Sequence, residues 1–314
     1  MMMAAPTDWN ALALPALFDA LARADAEAAV ARALTEDLGT AGDITSGCSI
    51  PAGTRGRAVI ASRADGVLAG LPVAEIVARR AGLRFTPHAA DGSRITGGSR
   101  IASVEGDYAV LLAHERTMLN FLTLLSGSAT MAARFAAAAD GSRARICDTR
   151  KTIPGLRTLQ KYATRCGGAW LHRIGLFDAV LLKDNHLSAF PSGTLAERVA
   201  AAATRARAAG SVAFIECEVD SLAQLDELLA LPAGVLDMIL LDNMDPSTLA
   251  EAVRRRDERA PRVLLEASGG VRLETVRAIA ESGVDRISVG AITHSAPALD
   301  LGLDFERLTD DGAS

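Results

Sequence analysis

Lysine is scarce in this chain, and all of it sits in one place. Lys151, Lys161 and Lys183 fall within 33 residues, whereas 30 arginines are spread over the 314 positions. Lysine is a compact, freely rotating point charge and arginine a rigid planar fork, so the two differ most where a particular anion must be held. Residues 143–186 also contain Arg143, Arg145, Arg150, Arg157, Arg165 and Arg173, opposed by Asp148, Asp178 and Asp184. In a chain of net charge −5 this is a local cationic site. The alternative is a solvated charged face.

Within the window, Asp148-Thr149-Arg150-Lys151-Thr152 ends an apolar run with a fork beside a point charge, which suits a substrate bearing carboxylate and phosphate. Cys166-Gly167-Gly168 sets a turn ahead of His172-Arg173. In Ala179-Val180-Leu181-Leu182-Lys183 a lysine closes a buried strand, as an anion ligand or, with a lowered pKa, as a Schiff-base nucleophile. Glu216 and Glu218 share one face of a strand by period-two alternation. With Asp242 they end strands where carboxylates bind Mg²⁺, hold ribose hydroxyls or stabilise a developing cation. Ser268-Gly269-Gly270 and Ser288-Val289-Gly290 are small-residue turns whose N–H groups suit a phosphate.

The elements that must position these residues alternate. Strands are expected at Ala144–Thr149, Asp178–Lys183, Val212–Val219, Asp237–Asp242, Arg262–Ala267 and Asp285–Gly290. Helices are expected at Leu156–Arg165, Thr194–Ala209, Ser221–Ala230, Ser247–Arg259 and Leu273–Glu281. Strand–helix alternation means parallel strands joined by crossovers. Polar residues at six successive strand ends favour a (β/α) barrel over a sheet with one switch point. The first 112 residues read as an α+β layer: a helix near Leu12–Leu34, the helix Pro72–Ala81, and strands at Arg57–Arg63, Gly66–Ala69, Leu83–Pro87, Arg100–Glu105 and Tyr108–Leu112. A helical region His114–Ala139 connects the parts. The fold class expected is α/β: an N-terminal α+β sandwich domain over 1–125, then an open or incomplete (β/α) barrel over 126–291. Residues 292–314 are a candidate to return to the first domain.

Composition removes other classes. A pI near 5.6 and 4% aromatic residues disfavour nucleic acid. Apolar runs fall well short of the roughly 20 residues that span a bilayer, and Met1–Asn10 has no secretory pattern. Cys48, Cys147, Cys166 and Cys217 show no paired spacing, which points to free thiols in a reducing cytoplasm.

Five runs then match a family. They are His114–Leu122 (HERTMLNFL), Asp148–Arg157 (DTRKTIPGLR), Leu182–His186 (LKDNH), Glu266–Gly270 (EASGG) and Thr293–Asp300 (THSAPALD). With Glu36-Asp37-Leu38-Gly39 and Gly42-Asp43-Ile44-Thr45, they closely resemble the quinolinate phosphoribosyltransferases from about Leu34 to Leu303. The resemblance implies a pentosyltransferase of NAD biosynthesis. It would transfer a phosphoribosyl group from phosphoribosyl pyrophosphate to quinolinate with decarboxylation, giving nicotinate mononucleotide, pyrophosphate and CO₂. It implies that Arg150, His172, Arg173 and Lys183 hold quinolinate, joined by Arg116 from a partner subunit of a homodimer. Lys151, Glu218, Asp242, Ser268, Gly269, Gly270 and Gly290 would hold phosphoribosyl pyrophosphate, with Glu218 and Asp242 binding Mg²⁺ directly or through water. Lys151, Lys183, Glu218 and Asp242 are the expected catalytic residues; Glu218 is preferred to Glu216 because it lies nearer the strand end. One departure stands out: Ala169-Trp170-Leu171 replaces the family's usual Gly-x-Asn before His172-Arg173. The rival readings are a Schiff-base aldolase using Lys183 and a molybdenum-transport accessory paralogue of the same fold. The Glu115–Asn120 and Lys183–His186 runs speak against both.

Overall fold

The computed structural model describes residues 7–190 and 192–306. Most of Met1–Asn10, and residues 307–314 of the C-terminal segment, lie outside the described residues. Among the described residues twelve strands are present: β1 Arg55–Ser62, β2 Gly66–Val67, β3 Arg84–Pro87, β4 Arg94–Ile95, β5 Arg100–Asp107, β6 Arg145–Cys147, β7 Val180–Leu182, β8 Ile215–Val219, β9 Met238–Asp242, β10 Leu264–Ser268, β11 Arg286–Ser288 and β12 Leu301–Glu306. They fall into two compact units.

One unit contains residues 13–133, 152–168 and 295–306. Its antiparallel sheet runs β12-β1-β5-β3. β1 sits between β12 and β5, with Ile60 opposite Leu303 on one side and Ala102 on the other. Ala58, Val59, Ile60, Ile101, Ala102 and Val104 are buried, as expected when helices cover a sheet with core on both sides. Gly70, in the left-handed region at φ 105°, starts the helix Leu71–Arg80. Asp91 caps that helix by accepting the N–H groups of Gly70 and Leu71 at 2.9 and 3.1 Å, and also takes the Tyr162 hydroxyl at 2.8 Å.

Tyr108–Leu112 is not a strand, contrary to the expectation from sequence: it is the first part of the helix Tyr108–Ala138. Its Tyr and Val favour strands locally, but Asp107 accepts the Val110 N–H at 3.1 Å and starts the helix. By length and mean hydropathy this helix could cross a membrane, yet half of its most apolar stretch is buried within the protein, the state of a core helix.

The other unit contains residues 7–12, 134–151 and 169–294. Its six parallel strands run β6-β11-β10-β9-β8-β7. That is the cyclic order of a closed ring interrupted between β6 and β7, so every crossover from β7 to β11 turns the same way. A doubly wound sheet would reverse direction at a switch point. The sheet is therefore an open (β/α) barrel, with no hydrogen-bonded closure among the described strands. All six expected strands are present, each one to three residues shorter at one or both ends. Side chains set the helix starts: Ser221 accepts the Gln224 N–H at 3.4 Å, Thr194 that of Glu197 at 3.2 Å, and Asp245 those of Ser247 and Thr248 at 2.9 and 3.1 Å.

Register levels the strand ends. Asp242 pairs with Ser268, Glu218 with Leu240, and Ser288 with Cys147. Glu266, two residues before Ser268 and fully buried, pairs with Arg286 and with Leu240, the partner of Glu218; Glu216, two residues before Glu218 and also fully buried, pairs with Leu181. Burial thus separates two layers of side chains at the barrel mouth, the fully buried Glu216 and Glu266 forming the lower one.

Candidate active site at the strand ends of the barrel

The upper layer surrounds a cavity of about 610 Å³. Arg150, Lys151, His172, Arg173, Lys183, Asp242, Ser268, Gly269 and Gly270 line it, all singled out from sequence. Thr149, Leu181, Leu240, Asn243 and Ser288 line it too. Four permanent cations thus face one carboxylate among the described lining residues. The Arg150 Nε is buried without a hydrogen-bond partner. Burial and the like charge of Arg150 push Arg173 below the usual guanidinium range. A cavity that leaves guanidinium groups under-neutralised is built to receive an anion.

The loops are held closely. Thr293 donates its hydroxyl to the Lys151 carbonyl at 2.7 Å. A Cβ on Gly290 would lie 3.2 Å from the Lys151 side chain and 2.9 Å from the His294 ring, so glycine admits both. Asn243 sits in the left-handed region at φ 53°, donates from its side chain to Asp242 at 2.6 Å, and gives its N–H to the Ser268 carbonyl at 2.9 Å. A Cβ on Gly269 would come within 2.2 Å of the Asn243 amide oxygen, so only glycine fits there.

Glu218 does not line the cavity; it forms an ion pair with Lys183 at its rim. Glu216 lies in the layer below, fully buried. There His172 Nε2 stands 3.0 Å from Glu216 and 3.2 Å from Glu266, Arg286 stands 2.9 Å from Glu266, and the Ser288 hydroxyl donates to Glu266. His172, Glu216 and Glu266 offer ligand atoms within 4.8 Å of one another, but Arg286 already supplies the positive charge at that point.

Burial alone would lower the His172 pKa, but Glu266 and Glu216 outweigh it and push the imidazole up to about 9. Nδ1, however, accepts the Arg173 main-chain N–H at 2.7 Å, which an unprotonated nitrogen alone can do. The hydrogen bond decides the ring's form: Nε2–H faces the carboxylates and Nδ1 is bare. The additional proton belongs with Glu216, which burial and the Glu266 charge push upward. Glu266 is held low: His172 and Arg286 overcome its burial. Such a cluster titrates as a unit.

The remaining cations of the sequence window do not reach the cavity. Arg143 pairs with Asp285 at 2.5 Å, Arg145 stacks 5.2 Å above the Trp170 ring, and Lys161 is buried in the helix Arg157–Cys166 of the N-terminal unit. Arg116 belongs to that unit as well, 68% exposed, on a separate hollow with Glu36, Asp37 and Asn120. A larger cavity of about 730 Å³ lies among helices outside the barrel, where Asp184, Arg198 and Glu227 mix charges and no strand end contributes. Arg286 and Asn243 escaped sequence reasoning; Asn243, directly after a strand-end acid, carried a usable signal, and Arg286 carried none.

Comparison with known proteins identifies the family. The family model for the quinolinate phosphoribosyl transferase N-terminal domain matches residues 43–126, and that for the C-terminal domain matches 128–304. A nicotinate-nucleotide pyrophosphorylase (carboxylating) of Mycobacterium leprae is 45% identical over 280 residues, covering 88% of this chain and 95% of that protein. A probable enzyme of the same name from Bacillus subtilis is 40% identical over 273 residues, covering 86% and 89%. Among solved structures, the nicotinate-nucleotide pyrophosphorylase of Francisella tularensis superposes with a TM-score of 0.82 at 33% identity, covering 96% of this chain and all of that one. With both domain models matched in order across most of its length, the chain belongs to the quinolinate phosphoribosyltransferase family.

Proposed function

We propose that this protein transfers the phosphoribosyl group of phosphoribosyl pyrophosphate to quinolinate and decarboxylates the product to nicotinate mononucleotide. The observation that carries this reading is the cavity of four permanent cations against one lining carboxylate. Quinolinate brings two carboxylates to it. Arg150, Arg173, His172 and Lys183 hold them, the Lys183 ammonium exchanging Glu218 for substrate. Lys151, Ser268, Gly269, Gly270 and Gly290 hold the phosphates. Bond changes balance without a protein nucleophile. The pyridine nitrogen attacks ribose C1 as the bond to pyrophosphate breaks. The bond from the ring to the adjacent carboxyl group then breaks, CO₂ leaves, and its electron pair stays beside the positively charged nitrogen until a proton replaces it. The side chains position the reactants and offset charge. An ion-paired Lys183 is poorly suited to Schiff-base chemistry, which needs an uncharged amine.

Asp242 and Glu218 are hard oxygen donors at adjacent strand ends and fit Mg²⁺, which takes one or two carboxylates and otherwise waters and phosphates. Bound there, the ion would neutralise the departing pyrophosphate. We further assign a homodimer in which Arg116 completes the partner's cavity, working in the cytoplasm where free thiols persist.

The direct assay is quinolinate, phosphoribosyl pyrophosphate and Mg²⁺, followed by nicotinate mononucleotide and CO₂. Nicotinate, one carboxylate short, leaves a buried cation unpaired at about 1–3 kcal/mol. Its kcat/KM should be at least roughly fivefold lower, and equal values would remove the assignment. For the dimer, inactive Arg116→Ala and inactive Lys183→Ala proteins should recover activity on mixing. No recovery despite demonstrated subunit exchange would return Arg116 to its own subunit.

A further inference from the structure

The segment bearing His172 and Arg173 is not one of the six barrel strands. It lies against β6, at the open side of the sheet. Trp170 forms a parallel bridge with Cys147. The Trp170 N–H donates to the Ile146 carbonyl at 2.7 Å, and the Asp148 N–H donates to the Trp170 carbonyl at 3.0 Å. In extended chain, successive residues direct their N–H and C=O groups to opposite edges. Leu171 therefore turns both groups away from β6, where the sheet supplies no further strand among the described residues.

Asn10 covers that edge. The Leu171 N–H donates to Asn10 Oδ1 at 2.7 Å, and Asn10 Nδ2 donates to the Leu171 carbonyl at 3.1 Å. A primary amide sets acceptor and donor side by side as a peptide group does, so one side chain stands in for a neighbouring strand. Both bonds form in only one orientation of the amide, which fixes its O and N. Asn10 is itself held in a turn: its N–H donates to Asp8 Oδ1 at 3.0 Å, and Trp9 N–H to the Thr7 carbonyl at 3.1 Å. Leu171 is buried, so water could satisfy its main-chain groups poorly.

Three anchors thus act on three successive residues: β6 on Trp170, Asn10 on Leu171, and Asp148 Oδ1 on the His172 N–H at 2.8 Å. The Arg173 N–H then bonds the His172 ring. We propose that Asn10, 161 positions from Leu171 in sequence, is a positioning residue for the His172–Arg173 pair and so for quinolinate orientation. The role rests on the reading of the cavity as the quinolinate site. Asn10 touches no reacting atom.

The test combines kinetics with exchange. In Asn10→Ala we expect quinolinate KM to rise about tenfold or more, since sub-ångström misplacement of binding groups carries large kinetic effects. The KM for phosphoribosyl pyrophosphate should stay within about twofold, because the Ser268–Gly270 turn and Lys151 do not depend on the clamp. Asn10→Asp keeps the acceptor and loses the donor, and should fall between. Amide hydrogen exchange at Leu171 should accelerate in Asn10→Ala in the full-length protein. Faster exchange with both KM values unchanged, or raised equally, would reduce Asn10 to fold support and overturn the proposal. Unchanged exchange would show that the clamp does not hold Leu171, and overturn it likewise. Failure of the wild-type protein to use quinolinate would instead bring down the parent reading and the positioning role with it, while exchange would still judge the clamp.

Discussion

The two layers at the barrel mouth contain the same residue types and treat charge in opposite ways. In the lower layer, Glu266 meets Arg286, His172 and Ser288, and every charge is opposed within a few ångströms by another fixed group. In the upper layer, Arg150 and Arg173 face one another's charge, and a single lining carboxylate serves four cations. Neutralisation within the protein makes the lower layer structural, orienting His172 from below. Its incompleteness, with Lys183 ion-paired to Glu218 and the other cations under-neutralised, suits the upper layer to receive an anion. Charge type alone does not distinguish these roles; the balance of charge in each layer does.

Breaking the lower layer should cost the most in stability. Glu266→Ala leaves Arg286 buried without its partner, and removal of one member of a buried pair costs about 3–5 kcal/mol. Urea denaturation should show the loss. A change below about 1 kcal/mol would mean that the two layers are energetically alike. In the upper layer, activity should change without stability. Lys183→Arg keeps the charge but replaces a point with a fork. A charge-assisted hydrogen bond is worth about 1.5–3 kcal/mol, so kcat/KM should fall roughly 10–100-fold while the midpoint of unfolding stays put. Borohydride added with quinolinate should trap nothing, and a reducible adduct on Lys183 would contradict its electrostatic role.

The smallest effect concerns pH. The cluster of His172, Glu216 and Glu266 titrates as a unit: the imidazole is pushed up from 6.5 to about 9 and Glu216 upward with it, so the folded cluster keeps one shared proton that the unfolded chain releases from its histidine. The stability gained is complete below about pH 6.5 and is lost as pH rises through about 9. Thermal melts of wild type and His172→Gln should therefore converge between these values. A constant gap would show that the cluster does not titrate as a unit.

Much of the barrel was legible because buried parallel strands are short apolar runs, and the polar residues closing them mark one end of the sheet. Helix starts were legible for the same local reason, as Asp245 shows. Tyr108–Leu112 misled because its side chains suit a strand while a capping acid one residue earlier decides for helix. At the site, period-two alternation put Glu216 and Glu218 on one face but could not assign their depths. Depth depends on register with β7 and β9, which is a property of pairing.

By itself, the sequence determined residue chemistry, strand–helix order and the acids and bases at the strand ends, because each depends on neighbours a few positions apart. The tertiary structure decided which cations converge. Arg150, Lys151, Arg173 and Lys183 reach one cavity, whereas Arg143, Arg145 and Lys161 from the same window go elsewhere. It also decided that Arg286 and His172 share Glu266 and that Asn10 grips Leu171. These contacts join positions from about 20 to 161 residues apart, where strand order and pairing in the open barrel set the distances and no local preference of the chain can.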